Sequence, residues 1–143
     1  MDLPTGPRLE VDDYCFACGK ANPRGLKLEF RFEGDEYACD FTLAQEYQGW
    51  TNIAHGGIVA TILDEVMVRN LWEQGIHAVT AEFTVRLKKP VPVMQPCQAR
   101  SRVVATRKRI FEVEAEVTLP DGSIAAQSQG KFLKVENPDD EGE

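Results

Sequence analysis

A chain of 143 residues has room for one ordinary domain with a real core and too little for two. Its hydrophobic and charged fractions, 43% and 27%, exclude the disordered and membrane-spanning classes, and its formal net charge of −7 excludes broad nucleic-acid binding. No apolar run approaches the ~18 residues of a spanning helix, and the first residues lack the basic and apolar segments of a secretory leader, so a cytoplasmic protein that does not engage membranes is expected.

Residues 1–14 carry two prolines, a glycine and several acids and read as an N-terminal arm. Residues 15–135 read as the folded domain, and the acidic residues 136–143 as a C-terminal tail that holds part of the negative charge. Cys15 and Cys18 form one Cys-x-x-Cys, with neither a second pair nor nearby histidines to complete a four-ligand zinc site, so no metal is expected. Cys39 and Cys97 stand inside strand-like segments and read as small core residues.

Residues 26–32 (Leu-Lys-Leu-Glu-Phe-Arg-Phe) alternate apolar and charged side chains, the period of a strand with one wet face. Gly34-Asp35 makes a turn, and residues 36–42 return as the second strand of a hairpin. A loop-like stretch over 47–54 then leads through His55-Gly56-Gly57 into residues 58–72. That run contains no proline or glycine and predicts a helix of about four turns ending near Gly75. Alternating segments near 78–88, 97–107, 109–118 and 123–134 follow, separated by Pro90-Val91-Pro92, by the basic corner at 107–109 and by Pro120-Asp121-Gly122. One long apolar helix among antiparallel strands is an α+β layout in which a curved sheet wraps the helix.

At about 100° per residue, Ile58, Val59, Ile62, Leu63 and Val66 share one broad apolar face, continued by Ala60, Met67 and Leu71. Two acids interrupt it. Glu65 precedes Arg69 by four residues and reads as half of a helix-surface ion pair. Asp64 has no basic residue one turn away, so it needs either a hydrogen-bond partner elsewhere or a catalytic task. At the helix start, Gly56 and Gly57 offer N–H groups without intrahelical acceptors, either a tight turn into the helix or a place where a carbonyl oxygen could be stabilised. Asp64 lies eight residues beyond Gly56, on the order of 12 Å along one helix, too far for both to serve one carbonyl. If both are catalytic they come from different subunits.

The run His55-Gly-Gly-Ile-Val-Ala-Thr-Ile-Leu-Asp64 resembles the signature of the PaaI-like hotdog thioesterases. The lead-in Cys15-Phe-Ala-Cys-Gly-Lys-Ala-Asn-Pro-Arg-Gly-Leu26 resembles one found in a branch of that family, and with the strand order the likeness covers roughly residues 14–134. It implies a hotdog fold, hydrolysis of acyl-CoA thioesters without a cofactor, and a homodimer or a dimer-of-dimers tetramer. It further implies that Asp64 is base or nucleophile, that Gly56 of the other subunit polarises the thioester carbonyl, that His55 fixes the loop and that Thr80 positions water. Gln48 and Asn52 are the nearest candidates for the amide that contacts the acyl carbonyl in some relatives, with Gly57 beside them.

Lys88, Lys89, Arg107 and Arg109, together with Arg100, Arg102 and Lys108, are basic candidates for the phosphates of CoA. Tyr47, Trp50, Met67, Trp72 and Phe83 line an acyl pocket or simply belong to the core. The competing functions are a non-catalytic acyl-CoA binding module and a hotdog hydratase or dehydratase. The latter generally employs a catalytic histidine, and His55 and His77 are the only two here.

Overall fold

A computed structural model describes residues 9–135; the expected tail at 136–143 and the first part of the expected arm lie outside the described residues. Six strands form one antiparallel sheet: β1 (Arg31–Glu33), β2 (Glu36–Thr42), β3 (Ala78–Leu87), β4 (Pro96–Arg107), β5 (Ile110–Thr118) and β6 (Ile124–Lys134). Their spatial order is β1-β2-β4-β5-β6-β3, so β1 and β3 are the two edges. Among the described residues one α-helix, α1 (Gly56–Glu73), packs across the sheet, which makes this the α+β hotdog architecture expected from the sequence. Among the described residues no helix is long and apolar enough to cross a membrane.

α1 buries Val59, Ile62, Leu63, Val66, Met67 and Leu71, the predicted apolar face, against alternate residues of the sheet such as Val113, Val117, Ala99 and Phe132. Cys39 and Cys97 are buried in β2 and β4 as expected of small core residues. Asn70 joins this face although it is polar, because two residues, Ser101 and Gln74, satisfy it. Its Nδ2 donates to Ser101 Oγ at 3.1 Å, Gln74 donates to its Oδ1 at 2.6 Å, and Ser101 Oγ in turn donates to the Val66 carbonyl at 2.6 Å. A buried amide without those partners would cost about 1–3 kcal/mol.

The first expected strand is corrected. Only Arg31–Glu33 pairs with β2, while residues 26–28 bond to the lead-in turn instead: the Leu26 N–H donates to the Phe16 carbonyl and the Leu28 N–H to the Ala17 carbonyl. Lys27 lies between them at φ 56°, in the left-handed region where a pleated strand cannot continue. The lead-in and residues 26–28 together form a cap whose Ala17 and Leu28 enter the core.

β3 carries a bulge between Thr80 and Glu82 in its pairing with β6. Before it the even residues Ala78 and Thr80 face the helix; after it the odd residues Val85 and Leu87 do. The extra residue thus re-aims the strand.

Candidate active site

The start of α1 is built by its own sequence. His55 is the N-cap, with extended φ −60° and ψ 133°, and its Nδ1 accepts the Gly57 N–H at 2.9 Å. That bond leaves Nδ1 unprotonated and takes up the Gly57 amide. The Gly56 N–H at the helix start has no acceptor among the described residues. Gly56 also packs closely: a Cβ there would sit 3.1 Å from Leu87 Cδ1.

The loop before the cap folds back on itself. His55 N–H donates to the Tyr47 carbonyl, Gln48 bridges to Ala54, and Gln48 Oε1 accepts the Asn52 N–H at 3.1 Å. Asn52 forms the tight turn at φ 65° and its side chain is exposed. Gln48 therefore lies beside the cap, its side-chain NH2 without an acceptor among the described residues, whereas Asn52 serves the turn.

Two helical turns on, Asp64 meets β3. Thr80 Oγ1 donates to Asp64 Oδ1 at 2.8 Å, so the threonine hydroxyl that the family pattern implies stands on the aspartate. Burial pushes the Asp64 carboxyl above its ordinary value, and the Thr80 hydrogen bond only partly offsets this. Such a carboxylate is a stronger base than one in water, the condition a general base requires.

α1 and β3 run antiparallel along one seam, with Gly56 beside Leu87 at one end and Asp64 beside Thr80 further along. Within one copy the two candidates stay apart, as the spacing of about 12 Å requires.

Glu65 is corrected. Arg69 pairs with Glu73, Nη2 to Oε1 at 2.6 Å, rather than with Glu65. Glu65 turns to the lead-in cap, where Cys18 Sγ lies 3.1 Å from its Oε1. Burial raises both groups, Glu65 above the usual carboxylate range and Cys18 well above the usual thiol range. Nothing in helix periodicity points to this contact, which joins residues 47 apart.

The basic residues do not converge within one copy. Lys88 and Lys89 are exposed at the Leu87 end of β3, their N–H groups on the Ala125 carbonyl. Arg107, Lys108 and Arg109 form the β4–β5 turn at the opposite end, where Arg109 Nη2 donates to the Lys134 carbonyl at 2.9 Å. Arg100 and Arg102 leave the candidate set. Arg100 is held by Glu33 and Glu36, and Arg102 by Glu36, Glu114 and Glu116.

Of the aromatic and sulfur candidates, Met67 is core, Trp72 stacks on His77 with centroids 4.2 Å apart, and the Tyr47 hydroxyl donates to the Arg24 and Gly25 carbonyls. Trp50 and Phe83 are exposed, Phe83 on the free edge of β3. Leu87, which closes against Gly56, went unnoticed in the sequence because it is one apolar residue among many.

The thioesterase superfamily profile matches residues 51–126, more than half of the chain, and the chain belongs to that family. The rat acyl-coenzyme A thioesterase THEM4 is 26% identical over 99 residues, 68% of this chain and 43% of the relative, so the chain spans less than half the length of that protein. Among solved structures, the thioesterase superfamily protein RHA08564 superposes with a TM-score of 0.81 at 21% identity, covering 92% of this chain and 69% of its own. The Escherichia coli PaaI protein of the phenylacetic acid degradation operon gives 0.73 at 17%, covering 78% and 82%. Also of this fold are a Streptococcus mutans protein bound to acetyl CoA (0.69, 18%, 76% and 91%) and a hypothetical thioesterase of Streptococcus pneumoniae. The latter was solved as an aspartate-to-alanine and as a threonine-to-alanine mutant (TM-score 0.71 for each, 12% and 13%), at positions 16 apart.

Proposed function

We propose that the chain hydrolyses acyl-CoA thioesters in a site shared by two copies, with Asp64 as base or nucleophile and the Gly56 N–H of the other copy on the thioester carbonyl. The observation that carries this is the Asp64–Thr80 pair on the seam between α1 and an edge strand. The same two residue types, at the same separation of 16, are those replaced in the Streptococcus pneumoniae thioesterase.

The edge supplies the second half. A copy paired antiparallel along β3, with the two-fold axis near position 84 and the bulge at Ala81 absorbing one residue, sets Thr80 opposite the partner's Leu87. Because Leu87 packs on Gly56, that register carries the partner's Gly56 toward Asp64. It also turns Lys88 and Lys89 toward the end of the partner that holds Arg107 and Arg109, a basic set suited to phosphate groups. Gln48 stands beside the cap to meet the acyl carbonyl.

In the reaction, Asp64 takes a proton from water as the water adds to the carbonyl carbon, or adds to that carbon itself. The carbonyl oxygen gains negative charge in front of the Gly56 N–H and the positive end of α1, then reforms the double bond as CoA thiolate leaves; where Asp64 is the nucleophile, water then cleaves the resulting mixed anhydride to free the acid and the Asp64 carboxylate. Thr80 holds the carboxylate oxygen in line.

Thiol release from a panel of short, medium, long and aromatic acyl-CoAs tests the reading, with folded Asp64→Ala alongside. Turnover by the wild type and none by the variant supports it. Binding of acyl-CoA without thiol release from any substrate would move the assignment to a binding module.

A further inference from the structure

Cys15, Cys18 and Glu65 have no part in the reaction above, yet the fold brings them together from two distant segments. We propose that they form a binding site for a thiophilic divalent cation of the zinc class, with the fourth coordination position open to the adjoining cavity.

The turn that holds the two sulfurs is built for them. The Gly19 N–H donates to the Cys15 carbonyl at 2.9 Å and the Ala17 N–H to Cys15 Sγ at 3.3 Å. Only glycine fits at position 19, because a Cβ there would lie 2.3 Å from the Cys15 nitrogen and 2.6 Å from the Asp13 carbonyl oxygen.

The third ligand arrives from the helix. Glu65 Oε1 is 3.1 Å from Cys18 Sγ and 3.9 Å from Cys15 Sγ, Oε2 is 4.0 Å from Cys15 Sγ, and one ligand atom from each residue falls within 4.8 Å of the other two. A tetrahedral zinc with Zn–S of about 2.3 Å and Zn–O of about 2.0 Å sets its sulfur and oxygen ligands ~3.5 Å apart. The sulfur–oxygen distances of 3.1 and 3.9 Å straddle that value.

The surroundings fit a cation that enters from solvent. Cys15 is exposed, and with Cys18 it lines a cavity of about 530 Å³. The charged side chains of that cavity nearest in sequence are already engaged: Asp13 accepts the Lys20 N–H at 2.9 Å, the Lys20 ammonium lies 3.7 Å from Glu29, and Arg69 holds Glu73. Among the described residues, the hydrogen-bond donors to this half-buried carboxylate are the weak S–H groups of the two cysteines, with the Arg69 charge acting on it as well. When an ion binds, each cysteine releases a proton to solvent, two sulfur–metal bonds and one oxygen–metal bond form, and solvent fills the open position. Thiolate ligands favour zinc over the hard cations magnesium and calcium.

The test titrates fully reduced, folded protein with cobalt(II), whose thiolate charge-transfer absorption counts sulfur ligands. The site predicts saturation at about one equivalent with tetrahedral visible bands, displacement by zinc, and a rise in Tm when zinc is added. Exposed Cys15→Ser removes about half of the charge transfer, Cys15→Ser with Cys18→Ser removes all of it, and Glu65→Gln weakens binding at least about tenfold. Absence of thiolate–cobalt absorption in the folded wild type overturns the site, as does absorption that survives the double serine variant or affinity unaltered by Glu65→Gln. The readout is indifferent to thioester hydrolysis, so this assignment and the proposed activity stand or fall separately.

Discussion

Asp64 and Glu65 are neighbours on one helix, and burial raises both carboxyls, yet they belong to two regions of different design. On the β3 side Asp64 meets one hydroxyl at a free sheet edge; on the cap side Glu65 meets two thiols inside a closed turn. A rotation of about 100° separates the proposed catalytic carboxylate from the proposed ion ligand. Two acids that look alike in a sequence thus differ in what the neighbouring segment brings to them.

The largest effect should come from Asp64→Asn, which keeps the shape and can still accept from Thr80 but cannot act as base or nucleophile. Hydrolysis should fall about 10²–10⁴-fold with the fold intact; a loss smaller than tenfold would erase the distinction between the two acids. Gly56→Pro follows, since proline is tolerated at the first helical position and the His55 backbone is already extended, as a residue before proline requires. It deletes the N–H and adds a ring whose Cβ would sit 3.1 Å from Leu87 Cδ1, the movable end of a side chain, so kcat should drop on the order of 10²–10³-fold with a smaller cost in Tm. Thr80→Val should cost roughly 10–100-fold in kcat/KM, the worth of one hydrogen bond to a charged group.

A pH series sharpens the same comparison. Because burial raises the Asp64 carboxyl, the acid limb of kcat/KM should lie above the ordinary aspartate range, and a limb at the ordinary value would deny the carboxylate its buried setting. The sign for stability is unfavourable: between the unfolded and folded values the native state holds the extra proton, so stability contributed there is present at low pH and lost as pH rises through the folded value. Asp64→Asn should flatten that part of the Tm–pH curve. The smallest effect is outside both regions, where Asn70→Ala should leave hydrolysis near wild type and lower stability by about 1–3 kcal/mol in denaturant melts, stranding Gln74 and Ser101.

The helix, five of the six strands and the core face of α1 were legible because each follows a single period over many residues. The first strand failed at Lys27, where a left-handed backbone breaks an alternation that side chains alone had suggested. Asp64 stood out as an acid without a local partner, and Thr80 entered through the family pattern. The partner of Glu65 was hidden because the one-turn rule offered Arg69, while the thiols come from 47 and 50 residues away. Arg100 and Arg102 misled for the converse reason: their carboxylates lie across strands, so in sequence they looked unclaimed.

The position of β3, at an edge and antiparallel to the helix it covers, has a consequence for mixtures of inactive proteins. If Asp64 of one chain works with Gly56 of another, a sample of Asp64→Asn and a sample of Gly56→Pro are each dead alone. Unfolded and refolded together, they form mixed pairs in which one seam has both wild-type groups and the other has neither. Random assortment makes half of the pairs mixed and half of their seams whole, restoring about a quarter of native turnover.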